Sequence, residues 1–280
     1  MRCAVTPELA LAGLATVGLA EVVGKAAAQH RTDRKYIVPR TVAARLVEHV
    51  AEDHRVLSIE GRLSTSYRST YFDTPELRTC RDHLQGRRRR WKARSRLYVE
   101  DALCRLEVKV RSTRGTTLKA VAESSPSRYG RFGETEQGFV DAMLEEHGHA
   151  TTALRPTLEV RYRRSTLADL AAGTRITLDT GLVSSPRDGG PMGPGDPQVW
   201  LDEEFTVVET KGGPLPGRAD RFLVATGHRP QTFSKYVASA SLLLADLPDN
   251  DVRRMLGHQL HRTPSTVTTL LPLLTRRTAS

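Results

Sequence analysis

The sequence predicts an α+β domain built on an antiparallel sheet, and three observations carry that reading. Segments with the period-two alternation of strands make up most of the body. Helical segments interrupt them without following each strand in turn, as a parallel sheet would require. No Gly-x-x-x-x-Gly-Lys or other glycine-rich phosphate loop leaves a strand to open a helix, which excludes a doubly wound nucleotide fold. With 280 residues, 39% of them apolar, the chain has material for a real core, and disorder over its whole length is excluded.

The elements follow in order. Residues 1–29 read as an N-terminal extension with a short helix: the apolar run from Leu9 to Ala20 is too short to span a membrane and too poor in basic residues for a signal peptide. The body is assigned to residues 30–245. Val42, Leu46, Val47 and Val50 recur at helical spacing, so Pro39 to His54 reads as an amphipathic helix. Strand-like pieces run over Ser66 to Asp73, Arg90 to Glu100, Leu103 to Arg111, Pro156 to Ser165, Thr174 to Asp179, Gln198 to Phe205 and Thr206 to Lys211. Further helices are expected over Glu136 to Glu146, from near Pro216 through Ala225, and over Lys235 to Leu244. Crowded Gly and Pro between Ser184 and Pro197 mark a loop, and residues 246–280 are assigned as a C-terminal tail.

Side chains two apart on a strand share a face, so the strands can be read for what each face carries. Lys92, Arg94, Arg96 and Tyr98 oppose Ala93, Ser95 and Leu97, while Glu107, Lys109 and Arg111 oppose Leu106, Val108 and Val110. Glu159, Arg161 and Arg163 oppose Leu158, Val160 and Tyr162; Arg175, Thr177 and Asp179 oppose Ile176 and Leu178. Glu209 and Lys211 share one face near the end of the body, and Arg31, Asp33 and Lys35 share one near its start. One such strand is ordinary solvated sheet. Six written largely in Arg and Lys predict, if the sheet curls with this face inward, a charged channel whose unpaired charges need partners, water or ligand.

Composition supports an anionic partner. Lys and Arg number 42 against 32 Asp and Glu, a formal net charge of +10. Only seven of the basic residues are lysines, and six of these (Lys35, Lys92, Lys109, Lys119, Lys211 and Lys235) fall in or beside the charged strand segments. Arg forks and Lys point charges suit phosphate oxygens, and interspersed carboxylates suit either ion pairing or a hard divalent metal. Cys3, Cys80 and Cys104 form no metal-binding spacing and cannot all pair, which points to a reducing, cytoplasmic setting.

The segments RTDRKYIV (31–38), YRSTYFDTPEL (67–77), RWKARSRLY (90–98), LEVKVRSTRGTTLK (106–119), LEVRYRR (158–164), RITLD (175–179), VVETK (207–211) and FSKY (233–236) resemble, in order, the VTC-type polyphosphate polymerase domain of the CYTH-like triphosphate tunnel metalloenzyme superfamily. The resemblance implies an antiparallel β-barrel tunnel of about eight strands with a basic lumen and flanking helices. It implies ATP and inorganic polyphosphate as ligands, and Mn²⁺ or Mg²⁺ held by acidic residues. Arg94, Arg96, Lys109 and Lys211 are then the catalytic candidates. Arg31, Lys35, Lys92, Lys119, Arg161, Arg163, Arg175, Ser234 and Lys235 are the phosphate-binding candidates, and Glu209, Glu107 and Asp179 the metal candidates. Arg31, Asp33 and Lys35 depart from the glutamate-rich ExExK start of the superfamily, which argues against simple triphosphatase or cyclase chemistry. The expected reaction is transfer of the ATP γ-phosphate to a polyphosphate end. A triphosphatase on the same scaffold and a noncatalytic polyanion-binding module stay open. Nucleic-acid binding is disfavoured for want of a repeated aromatic stacking pattern, although Arg87 to Arg90 before Trp91 form a basic run.

Overall fold

A computed structural model describes residues 6–26, 32–111, 117–150, 153–187, 196–244 and 246–263. In chain order its elements are α1 (Pro7–Ala12), β1 (Thr16–Val17), α2 (Leu19–Ala26), β2 (Thr32–Pro39), α3 (Arg40–His49), β3 (Arg55–Leu57), β4 (Thr65–Asp73), α4 (Arg78–Leu84), β5 (Arg90–Tyr98), β6 (Leu103–Arg111) and β7 (Thr117–Ser124). There follow α5 (Glu134–Glu146), β8 (Arg155–Asp169), β9 (Thr174–Pro186), β10 (Val199–Leu201), β11 (Phe205–Gly212), α6 (Arg218–Ala225), α7 (Lys235–Leu243), α8 (Asn250–Arg253) and β12 (Leu260–Arg262). Arg31, most of the expected loop between Ser184 and Pro197, and the tail beyond Thr263 lie outside the described residues.

The strands form one sheet in which β2, β11, β9, β8, β4, β5, β6 and β7 are successive antiparallel neighbours. The short pair β10 and β12 extends from β9, and β3 with its parallel partner β1 extends from β8. This corrects the expected barrel. Closure requires every strand to be paired on both edges, yet among the described residues β2 pairs only with β11 and β7 only with β6. The sheet is open. Strand parity specifies which face a residue occupies and carries no information on whether the two terminal edges meet, which is why the sequence pattern could not decide this point.

The sheet nevertheless curls. Ile37 of β2, Val207 of β11, Leu158 of β8 and Tyr71 of β4 gather in one cluster around α7 on the concave side. Two helical layers cover the outer face. α3, α6 and α1 pack Leu46, Val47, Leu223 and Leu11 on Tyr36, Val38, Ile176 and Leu178; α5 packs Val140 and Leu144 on Phe72, Trp91, Ala93 and Val108. The inner face is divided. Over β4, β8 and β9 it is apolar and covered by α7, whose Tyr236, Ala240 and Leu242 pack on Tyr71, Leu158, Val160 and Leu182. Burying each such side chain contributes about 1.5–3 kcal/mol.

Two local devices set the site. In β9, Gly181 and Leu182 together oppose the single residue Tyr162 of β8, a bulge made accessible by the left-handed Gly181 (φ 59°). It brings Leu182 onto the same inner face as Asp179, so that face changes from charged to apolar along one strand. The fully buried Asp73 accepts the Thr79 (2.8 Å) and Cys80 (3.0 Å) amides and the Tyr236 hydroxyl (2.6 Å), which fixes α4 against α7 at the edge of the inner face.

The expected helices and strands are present, but β9 runs on to Pro186 instead of ending at Asp179, the expected strand Gln198 to Phe205 is reduced to Val199–Leu201, and within the expected tail α8 and β12 are formed, β12 pairing with β10. The N-terminal helix is two helices separated at Gly13 and by β1, and its Leu11 belongs to the α3 core. β3, β7 and α4 were not anticipated, although in β7 Leu118, Ala120 and Ala122 alternate with Lys119, Val121 and Glu123 in the pattern of a strand.

Candidate functional site

The uncovered half of the inner face is a bed of cations. β5 contributes Lys92, Arg94 and Arg96; β6, Glu107 and Lys109; β7, Lys119; β9, Arg175 and Asp179; β11, Glu209 and Lys211; β2, Lys35; and Lys235 opens α7 beside Ser234. Cross-strand register places Lys92 directly opposite Lys109, and Lys109 opposite Lys119. Arg90 faces Arg111 one step further along. Like charges directly opposite are destabilising in a sheet. Lys119 is paired with Glu107 (2.6 Å), but Lys92 and Lys109 have no carboxylate within ion-pair distance among the described residues.

The ammonium groups feel this crowding. Burial, and then Arg94, Lys92 and Lys211, push Lys109 down to about 7; burial, with Arg94 and Lys35, also lowers Lys92. Burial raises the Tyr71 phenol, but Arg94, Lys92 and Arg96 outweigh it and bring it to about 8. On α4, burial and then Lys92, Arg90, Lys35 and Arg111 push His83 down to about 4.

The carboxylates are engaged. Arg94 Nε donates to Glu107 Oε2 (2.7 Å) and Lys119 to Oε1, so burial, which would raise Glu107, is outweighed by Arg94, Arg96 and Lys119. Asp179, fully buried, takes the Arg164 fork at 2.6 and 2.7 Å and Lys235 at 2.6 Å. Glu209 accepts Lys211 at 2.7 Å through Oε1, with Lys35 at 3.7 Å, and its Oε2 lies 3.8 Å from Arg164. Burial acts to raise Glu209, and Lys211, Lys35 and Arg164 hold it well below the usual carboxylate range.

Arg164 was not anticipated. It links Asp179 to Glu209 and lies over Tyr67 (5.4 Å) and Tyr162 (5.3 Å), which are themselves stacked. Arg96 lies over Tyr67 on the same floor. The signal was available: extending the alternation Leu158, Val160, Tyr162 by one step reaches Arg164. That face of β8 is the inner one, because Tyr67 and Tyr71 of β4 stand opposite Tyr162 and Leu158. Arg161 and Arg163 are therefore on the outer face, away from the other candidates, where Arg161 is near Glu159 (3.7 Å) and Arg163 donates to Ser64 (2.8 Å).

A divalent ion would find few open carboxylate oxygens among the described residues of this face. No cluster of three or more His, Cys, Asp or Glu suited to a metal occurs among the described residues, and Glu107 and Asp179 spend both oxygens on cations. Glu209 Oε2 and Asp33, whose Oδ2 lies 3.2 Å from Lys211, are the donors left among the described residues, a set that would suit Mg²⁺ or Mn²⁺ bound mainly by phosphate oxygens and water.

No helix of the described residues is long and apolar enough to cross a membrane. Solved structures with some likeness include a candidate adenylyl cyclase from Hippeastrum, described as having a dominant triphosphatase activity, at 16% identity over 75% of this chain and 94% of that one, TM-score 0.43. Another is a candidate adenylate cyclase from Bacillus halodurans, at 14% identity over 81% and 98%, TM-score 0.41. A protein from Pyrococcus horikoshii follows at 13% identity over 74% and 94%, TM-score 0.38. No curated protein matches. The VTC domain, in contrast, matches residues 30–244, which run from β2 through β11 and α7. The chain therefore belongs to the VTC domain family.

Proposed function

We propose that the inner face binds the triphosphate of ATP beside an inorganic polyphosphate chain and transfers the γ-phosphate to the end of that chain. A terminal polyphosphate oxygen forms the new P–O bond as the bond between the γ-phosphorus and its bridging oxygen breaks. ADP leaves with the electron pair. The observation that carries this reading is the directly opposed, carboxylate-free pair Lys92 and Lys109, whose repulsion a phosphate chain would relieve. Family membership supports it.

The nucleophile suits the site. A phosphate oxygen is already ionised and needs no base, and Glu107, Asp179 and Glu209 are all held too acidic to act as one. Arg94 and Arg96 would neutralise the charge on the equatorial oxygens. Glu209 would hold Mg²⁺ or Mn²⁺, an ion that screens charge between nucleotide phosphates when bound. A triphosphatase reading is favoured by one feature, Lys109 near 7, because its neutral amine could accept a proton from water. Incubation with ATP, Mn²⁺ and a short primer separates the two: long-chain polyphosphate supports transfer, and orthophosphate alone supports hydrolysis and overturns the main reading. Glu209→Ala is expected to abolish metal-dependent product, and unchanged activity would remove Glu209 from the mechanism.

Proton linkage gives a second expected result. Lys109 must be protonated to attract phosphate, so tripolyphosphate affinity should fall as pH rises through about 7 and binding at pH 8 should take up protons. The free protein should behave oppositely. Its Lys109 binds fewer protons than the unfolded chain between about pH 7 and the usual lysine value of about 10.4, so this group's contribution to stability rises across that window. Calorimetry in buffers of different ionisation enthalpy, with Lys109→Met as reference, checks both signs.

A further inference from the structure

A cleft of about 970 Å³ lies beside the inner face and is used by nothing described so far. Arg78, Arg81, Arg87 and Arg89 line it, between α4, the turn into β5 and the end of α5. Arg81 Nε donates to the Glu76 carbonyl (3.0 Å), Arg89 to the carbonyls of His147 and Gly148, and Arg87 to Gln85 (2.8 Å) and Asp82 (3.2 Å). The Arg78 guanidinium has no hydrogen-bond or ion-pair partner among the described residues. Asp82 is thus occupied by Arg87, while Glu76 and Asp246 stand on the same wall as further carboxylates. Two lining residues, Leu77 (φ 58°) and Asp246 (φ 62°), hold left-handed backbone that side chains disfavour, a strain that concentrates at ligand sites.

The cleft continues the cation bed. Residues 87–90 run from it directly into β5, where Arg90 and Arg111 are the next opposed pair beyond Lys92 and Lys109. From Arg94 to Arg90 the bed measures on the order of 13 Å by strand rise, and the cleft prolongs it past α4. Both flanks of that helix are electropositive: burial and then the inner-face cations lower His83, and burial and then Arg89 and Arg78 lower His149 in the cleft. No Phe, Tyr or Trp lines the cleft, so nucleic-acid bases would have no stacking platform there.

Resting on the phosphate-transfer reading of the inner face, we infer that the cleft docks the distal part of an inorganic phosphate chain, so that chains longer than a triphosphate engage both surfaces. The test compares tripolyphosphate with long-chain polyphosphate by titration calorimetry on the full chain, wild type against Arg78→Gln/Arg87→Gln. These exposed side chains hold no core contact, and melting curves verify the fold. The ratio of long-chain to tripolyphosphate affinity should fall about tenfold or more in the variant, the scale of one or two charge-assisted contacts. An unchanged ratio overturns the proposal, as does single-stranded RNA that displaces the long chain from the wild type and itself loses affinity in the variant. If the wild type binds tripolyphosphate with no preference for length, the cleft assignment alone fails. If it binds neither ligand, the inner-face reading fails and takes the cleft with it.

Discussion

Lys109→Met is expected to weaken tripolyphosphate binding by about 10- to 100-fold while raising the melting temperature of the free protein by about 2–4 °C. The first figure is the loss of one charge-assisted contact to a multiply charged ligand. The second corresponds to about 1 kcal/mol for a domain of this size. It follows from removing an ammonium that faces Lys92 and Lys119 on the neighbouring strands and has no carboxylate of its own within ion-pair distance. Opposite signs in the two assays distinguish a ligand-binding charge from a structural one. A structural lysine would lose stability on truncation, and calorimetry combined with thermal melting reads both on one sample. If binding is unchanged, the cation bed is not the phosphate site.

Arg164→Met is expected to destabilise the fold by about 3 kcal/mol or more, the usual cost of removing one partner of a buried ion pair, or roughly 6–12 °C in melting temperature. Asp179 has no exposure and would keep only Lys235, while the Tyr67 and Tyr162 rings would lose the guanidinium that lies over them. Arg164→Lys retains the charge without the two-pronged contact and should recover only part of the loss. Arg163→Met, on the exposed outer face of the same strand, should change stability by less than about 0.5 kcal/mol. Equal effects of Arg163→Met and Arg164→Met in denaturant melts would contradict the assignment of faces in β8.

Much of this was legible from alternation alone. β5 and β6 read correctly because each has a plainly apolar face, Trp91 and Ala93 or Leu106, Val108 and Val110, that meets α5. β8 misled because its apolar face is the inner one: Leu158, Val160 and Tyr162 look like an outward-packed core face, but their partner is α7 on the inside. A helix that fills half of the concave side cannot be deduced from the strand it covers. Sheet closure was likewise beyond reach, since it depends on two edges distant in sequence. Lys92 opposite Lys109 was hidden for a similar reason, because cross-strand register depends on where the turn at 99–102 falls.

The bulge at Gly181 has a consequence for loss of function. β9 is read in two frames, one setting Arg175, Thr177 and Asp179 inward and the other Leu182. A β-branched residue at position 181, which rejects the left-handed backbone of the bulge, would press the full-length strand back toward plain alternation, and since Asp179 is anchored by Arg164 while Leu182 is anchored by the α7 core, one of the two must then turn outward. A lesion of a single small residue, chemically silent and remote from any phosphate, would then force the chain to choose between its site and its core.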